Sequence, residues 1–190
     1  MAHKILFLLA LLLISSLSIA ADSGKVVVTP IITCADQELQ LNGFGARKKL
    51  FIKLYVASLY VQEQISDASQ FLEMTQASCM RLHITSSKIT SKKMIKATRE
   101  GFEKSTQGNT APIENEMKKF LSWLEQPIKK GDEFEFAFIP HNVTYVSKNG
   151  TELGVIENKE FSSALFGIWL GDMPAQQNLK DELLGQLHTL

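Results

Sequence analysis

Arg47 and Tyr55 are the residues of this chain best placed by type and spacing to do chemistry. The stretch Leu41 to Val61, LNGFGARKKLFIKLYVASLYV, runs two glycines into an arginine and then into an apolar, aromatic segment. One cation therefore stands at the threshold of a strand able to line a buried pocket. A guanidinium there can form a bidentate pair with a carboxylate, and a tyrosine hydroxyl can donate one more hydrogen bond. The same cation can also serve an isomerase, by stabilising charge that develops on a carbonyl oxygen. A third reading makes Arg47, Lys48 and Lys49 a solvated turn, and Tyr55 an ordinary core or interface tyrosine.

Geometry limits the first two readings. Arg47 and Tyr55 share alternation parity, yet eight residues of straight strand would hold them roughly 26 Å apart. They can share a ligand only where Lys48 to Leu50 bend the chain back, and Gly43 and Gly45 mark turns nearby. Phe51, Leu54 or Phe102 would then supply an apolar wall, depending on strand facing.

Other reactive residue types are sparse. Beyond the leader the histidines are His83, His141 and His188, too scattered for a zinc site. His83 reads as a hydrogen-bonded or surface side chain. No metal and no cofactor is expected. Cys34 and Cys79 have no CxxC spacing, so either a bridge between them or two separately buried thiols fits the sequence. Lys92, Lys93 and Lys96 read as the solvated face of a helix, and Trp123 and Trp169 fall on helical apolar stripes as packing residues.

The first twenty residues carry an export signal: Lys4, an apolar run from Ile5 to Ile14, and small residues at Ser18-Ile19-Ala20. Cleavage before Ala21 is expected, with the periplasm as destination or general secretion as the alternative. No later segment is long and apolar enough to span a bilayer. Losing Lys4 leaves 19 of the 20 Lys and Arg against 20 Asp and Glu, a formal charge of about minus one. Such a balance gives no overall electrostatic drive toward nucleic acid or an anionic membrane. Residues 21–190 suit one domain with its own core.

The elements that must position Arg47 and Tyr55 are legible as periodicities. Lys25 to Thr33, Gln37 to Leu41, Phe51 to Val61 and Cys79 to Thr85 read as strands, with a brief strand or turn at Phe71. A helix starts at Thr90 or Ser91 and carries Met94, Ile95, Thr98, Gly101 and Phe102 to Ser105. A second places Ile113, Met117, Phe120, Leu121 and Leu124 on one stripe. Glu133 to Ile139 alternates as a one-sided strand, and Asn149-Gly150 joins Thr144 to Lys148 and Thr151 to Ile156 in a type I′ hairpin. Asn158 caps a third helix bearing Phe161, Leu165, Ile168 and Trp169, and a last short helix holds Leu179, Leu183 and Leu184. Strands flanking a helical block, without βαβ alternation, indicate an α+β fold with a largely antiparallel sheet covered by helices.

Four segments in this order, LNGFGARKKLFIKLYVASLYV, SKKMIKATREGF, GVIENKEFSSALFGIWLG and NLKDELLG, span Leu41 to Gly185. Through them the chain resembles the chalcone isomerase-like family, and within it a bacterial exported branch. The resemblance implies an open-faced β-sandwich whose sheet and helices enclose a cleft. Plant members cyclise a chalcone to a flavanone with an arginine after the glycine-rich turn and with threonine, tyrosine and asparagine side chains around the pocket. By motif match the arginine falls on Arg47 and the strand threonine on Tyr55, in a shorter hairpin. The tyrosine falls on Met94, the asparagine on Gly101 and a further threonine on Ile168.

Met94, Gly101 and Ile168 cannot donate side-chain hydrogen bonds, and one comparable donor is worth about 3 kcal/mol of transition-state stabilisation. Loss of several removes catalysis more readily than binding. Members of the superfamily that resemble fatty-acid-binding proteins use an arginine and a tyrosine for the carboxylate. The expected function is thus noncatalytic binding of a small anionic amphiphile, such as a fatty acid, at Arg47, Tyr55, Met94, Gly101 and Ile168. An isomerase or lyase for another small molecule, and an interaction protein with a filled cleft, are the alternatives. Oligomeric state is not legible.

Overall fold

The computed structural model describes residues 26–186, so the export signal expected in the first twenty residues lies outside the described residues. Seven strands follow one another across a single antiparallel sheet in chain order. They are β1 (Ile31–Cys34), β2 (Gln37–Lys49), β3 (Ile52–Val61), β4 (Ser78–Ile84), β5 (Glu133–Ile139), β6 (Val143–Lys148) and β7 (Thr151–Glu157). The helices are α1 (Ala68–Leu72), α2 (Ser91–Ser105), α3 (Glu114–Trp123), α4 (Lys159–Leu170) and α5 (Gln177–Leu183). This is the α+β arrangement expected, an open antiparallel sheet with helices on one face. No helix among the described residues is long and apolar enough to cross a membrane.

Local chemistry sets the helix starts. The Thr90 side chain accepts from the Lys93 N–H and that of Asn158 from the Phe161 N–H, which satisfies one orphan donor at each end. Once started, α4 is buried over nearly its whole length and forms the centre of the molecule. It packs against an inner sheet face built from Tyr55, Ala57 and Leu59 of β3, Met80 and Leu82 of β4, and Phe134, Phe136 and Phe138 of β5. These residues follow the two-residue period that sends alternate side chains to one face. α2 differs: Phe102 is its only fully buried residue, so it stands partly away from the sheet.

The opposite face carries a smaller cluster of Ile32, Leu39, Tyr60, Ala77, Cys79 and Ala137. There Cys34 and Cys79 form a disulfide, with their Cα atoms 6.5 Å apart. Arg81 lies 5.8 Å over the Tyr60 ring and donates to Glu135 at 2.7 Å.

Three expectations change. β1 is Ile31–Cys34 where a strand over Lys25 to Thr33 was expected, and Phe71 belongs to the short helix α1, capped by Asp67. β2 runs thirteen residues, through both glycines, where a strand ending at Leu41 and a turn were expected. Gly43 and Gly45 make no turn. A Cβ on Gly43 would meet the Glu182 carbonyl oxygen and lie 2.6 Å from that of Leu183, so Gly43 lets the backbone of α5 rest on the strand, and Gly45 makes room for the Glu182 side chain. Asn42, at an irregularity in the β2–β3 register, secures the contact. Its Nδ2 donates to the Leu183 and Ile65 carbonyls at 2.8 and 3.0 Å, and its Oδ1 accepts from the Ile65 N–H.

Candidate ligand-binding site

The bend that brings Arg47 and Tyr55 together lies at Leu50-Phe51. These two residues close the β2–β3 hairpin, so Lys49 pairs with Ile52 and Arg47 stands directly opposite Tyr55. Cross-strand partners share a face of the sheet. That face looks into a cavity of about 690 Å³ bounded by the sheet, α2 and α4. Leu54, Leu82, Phe134 and Phe136 line it from the strands, and Leu165, Ile168 and Trp169 from α4. Its size lies within the usual range for small-molecule sites.

Polar groups converge at Tyr55. Its hydroxyl accepts a 3.0 Å hydrogen bond from Trp169 Nε1, and both residues are buried. Burial pushes the Tyr55 phenol above its ordinary value of 10.0, while the bond from Trp169 and the charge of Arg47 pull it part of the way back. The hydroxyl therefore keeps its proton at neutral pH. With the indole on one lone pair, that proton is free to be given to an acceptor in the cavity.

The half-buried Arg47 is held by its surroundings. Its Nη1 donates to the Lys48 carbonyl at 2.6 Å and to Gln176 Oε1 at 3.1 Å. Gln176 also accepts from the Lys48 N–H at 2.9 Å and donates to the Ala46 carbonyl at 3.3 Å. One amide in the connection before α5 thus binds both the guanidinium and the strand that carries it. Among the described residues, Nη2 and Nε of Arg47 make no hydrogen bond.

Arg47, Tyr55, Met94, Gly101 and Ile168 all line this one cavity. Gly101 has a second task, because a Cβ there would lie 2.9 Å from Ile168 Cγ2; its absence sets how closely α2 approaches α4. Of the three apolar wall candidates only Leu54 lines the cavity. Phe102 is buried among the helices, edge-on to Phe120 and tilted against Phe161, and Phe51 is fully exposed at the hairpin tip because it occupies the turn.

Two residues were not anticipated as parts of the site. Trp169 packs on Phe136, with ring centroids 6.0 Å apart, and also supplies the hydrogen bond to Tyr55. The need of a buried indole N–H for a partner is the signal that could have found it. Gln176 sits outside any periodic element, and no sequence pattern marks it.

Lys93 and Lys96 of α2, and Lys88 in the connection before it, also line the cavity, so the cationic face of α2 contributes to the site. His83 lies outside the cavity lining, with Nδ1 3.9 Å from Glu133. Among the described residues, Cys34, Cys79 and Glu135 are close enough together to suggest a metal, but both sulfurs are committed to the disulfide.

A solved structure of a fatty-acid binding protein from Arabidopsis thaliana resembles the chain with a TM-score of 0.70, at 16% identity, over 87% of this chain and 95% of that one. At that identity the likeness concerns the fold. It also corrects the narrower sequence reading: the resemblance leads to a plant fatty-acid binding protein, and the assignment to a bacterial exported branch does not hold. No curated protein matches the chain. The model of the family described as chalcone isomerase-like matches residues 20–185, and the chain belongs to that family.

Proposed function

We propose that this protein is a noncatalytic binder of a small anionic apolar ligand, with a fatty acid as the representative class. The observation that carries the proposal is the Arg47–Tyr55 cross-strand pair at an otherwise largely apolar cavity. A carboxylate can take two guanidinium hydrogen bonds and one from the phenol, while its hydrocarbon chain displaces water from Leu54, Phe134, Phe136 and Ile168. Catalysis lacks comparable support. Met94, Gly101 and Ile168 stand where the plant isomerases place side-chain donors, and they offer no hydrogen bond to a developing enolate.

The Cys34–Cys79 disulfide is in keeping with an exported protein, since such bonds persist in oxidising compartments. The test of function is native mass spectrometry after purification without detergent, followed by titration with a long-chain fatty acid. A co-purified acid, or binding that weakens at least tenfold in Arg47→Met, is expected. Absence of both would remove the proposal.

A further inference from the structure

The chain is close to electrically neutral overall, but the surroundings of the cavity mouth are not. The β2–β3 hairpin ends in Leu50, Phe51 and Ile52, which are 86%, 103% and 44% exposed. Leu50 adopts φ +54°, a conformation usually left to glycine or asparagine, so an apolar side chain is held in solvent at a position that disfavours it. Just behind the tip, Lys48 and Lys53 are direct cross-strand partners. Like charges in that arrangement repel one another and destabilise a hairpin. Neither feature helps the isolated fold.

The tip is continuous with the cavity. Leu50, Ile52 and Lys49 are themselves lining residues, and Met173, 48% exposed, lines it from the chain after α4. Lys88, Lys93, Lys96 and Lys104 add cations, and Glu100 is the single acid among the lining residues. Exposed large apolar side chains set among lysines make the composition that lies in the headgroup region of a bilayer. The apolar groups enter the acyl boundary and the cations meet anionic headgroups.

We infer that the cavity rim, with the Leu50-Phe51-Ile52 tip as its wedge and Lys48, Lys49 and Lys53 around it, docks on an anionic phospholipid surface. This places the mouth of the cavity against the membrane, where an apolar ligand can pass between bilayer and protein without crossing water. The lysine pair opposed across the hairpin loses its mutual repulsion once anionic headgroups lie over it. Because the docked residues are few, the association is reversible and salt-sensitive.

The test is sedimentation of the protein, expressed from its full sequence, with phosphatidylcholine vesicles carrying roughly one third phosphatidylserine, beside vesicles of phosphatidylcholine alone. Binding to the anionic vesicles that falls as salt rises is expected. Phe51→Ser weakens it about tenfold, and Lys48→Gln with Lys53→Gln about thirtyfold. None of these three side chains lines the cavity, so the affinity for free fatty acid stays at the wild-type value, and the unfolding midpoint does not fall; relief of the Lys48–Lys53 repulsion raises it slightly in the double variant. That control separates this inference from the ligand reading: vesicle binding without fatty-acid binding would sustain the docking face and remove the ligand. No preference for anionic vesicles, or binding indifferent to the tip substitutions, would overturn docking. So would a wild-type dimer, seen by ultracentrifugation and lost in Phe51→Ser, because a second copy would then be the partner.

Discussion

Replacing Tyr55 by phenylalanine separates what its hydroxyl does for the fold from what it does for a ligand. In the fold the oxygen is the acceptor for the buried Trp169 Nε1 at 3.0 Å. Tyr55→Phe removes that acceptor and keeps the ring, so the buried indole N–H loses its protein partner. The desolvation cost of one such donor is about 2 kcal/mol, which for a domain of this size lowers the unfolding midpoint by about 4–8 °C. In the site the same change removes the neutral donor to a carboxylate, weakening a fatty acid about tenfold or more. The methyl ester of the same acid, a poorer acceptor, loses much less.

The pH dependence follows from the same residue. Burial raises the folded phenol above 10.0. Above that pH the unfolded chain ionises while the folded one still holds its proton, so stability is complete below about pH 10 and falls as pH rises beyond it. Tyr55→Phe lacks this part of the alkaline slope. Denaturant titrations at neutral and alkaline pH, with calorimetry of acid and ester, measure all four quantities. An unchanged midpoint, or equal losses for acid and ester, would refute the reasoning.

Three further outcomes are expected. Gly43→Ala puts a methyl group against the Glu182 and Leu183 carbonyls of α5, which are backbone and cannot swing aside; a loss of about 3 kcal/mol by chemical denaturation is expected. Reducing the Cys34–Cys79 bond opens a loop spanning 45 residues, and chain entropy puts the loss near 4 kcal/mol, read as a lower denaturation midpoint in reductant. Burial raises the Asp132 carboxyl, but bonds from Asn149, the Lys129 N–H and Lys148 outweigh it and hold the group below its usual range. Its contribution is full above about pH 4 and lost as pH falls through the depressed value; Asp132→Asn therefore flattens the acid limb of a stability–pH profile.

Much of this architecture is written in residue periodicity. EFEFAFI alternates as a strand with one buried face, and it is β5; Asn149 and Gly150 both adopt positive φ, as the type I′ turn requires. Misreadings occur where a residue serves something distant in sequence. Gly43 and Gly45 are turn residues by local preference, and their true use depends on α5, about 140 positions away. The bend that joins Arg47 to Tyr55 is made by Leu50 and Phe51, neither of which has turn chemistry. Overall charge concealed the cationic mouth in the same way, because the lysines gather only when α2 and the β2–β3 hairpin meet around the cavity.

The bridge from Gln176 to Arg47 bears on the order in which the molecule is completed. Within the sheet every strand pairs with its neighbours in the chain order. The bond between Arg47 and Gln176 spans 129 positions, and that between Asn42 and Leu183 spans 141. A nascent chain halted after α4 would already possess every strand and the indole partner of Tyr55, while its arginine still lacked the amide that steadies it. The Arg47 end of the cavity is finished last, when the final helix closes over the second strand.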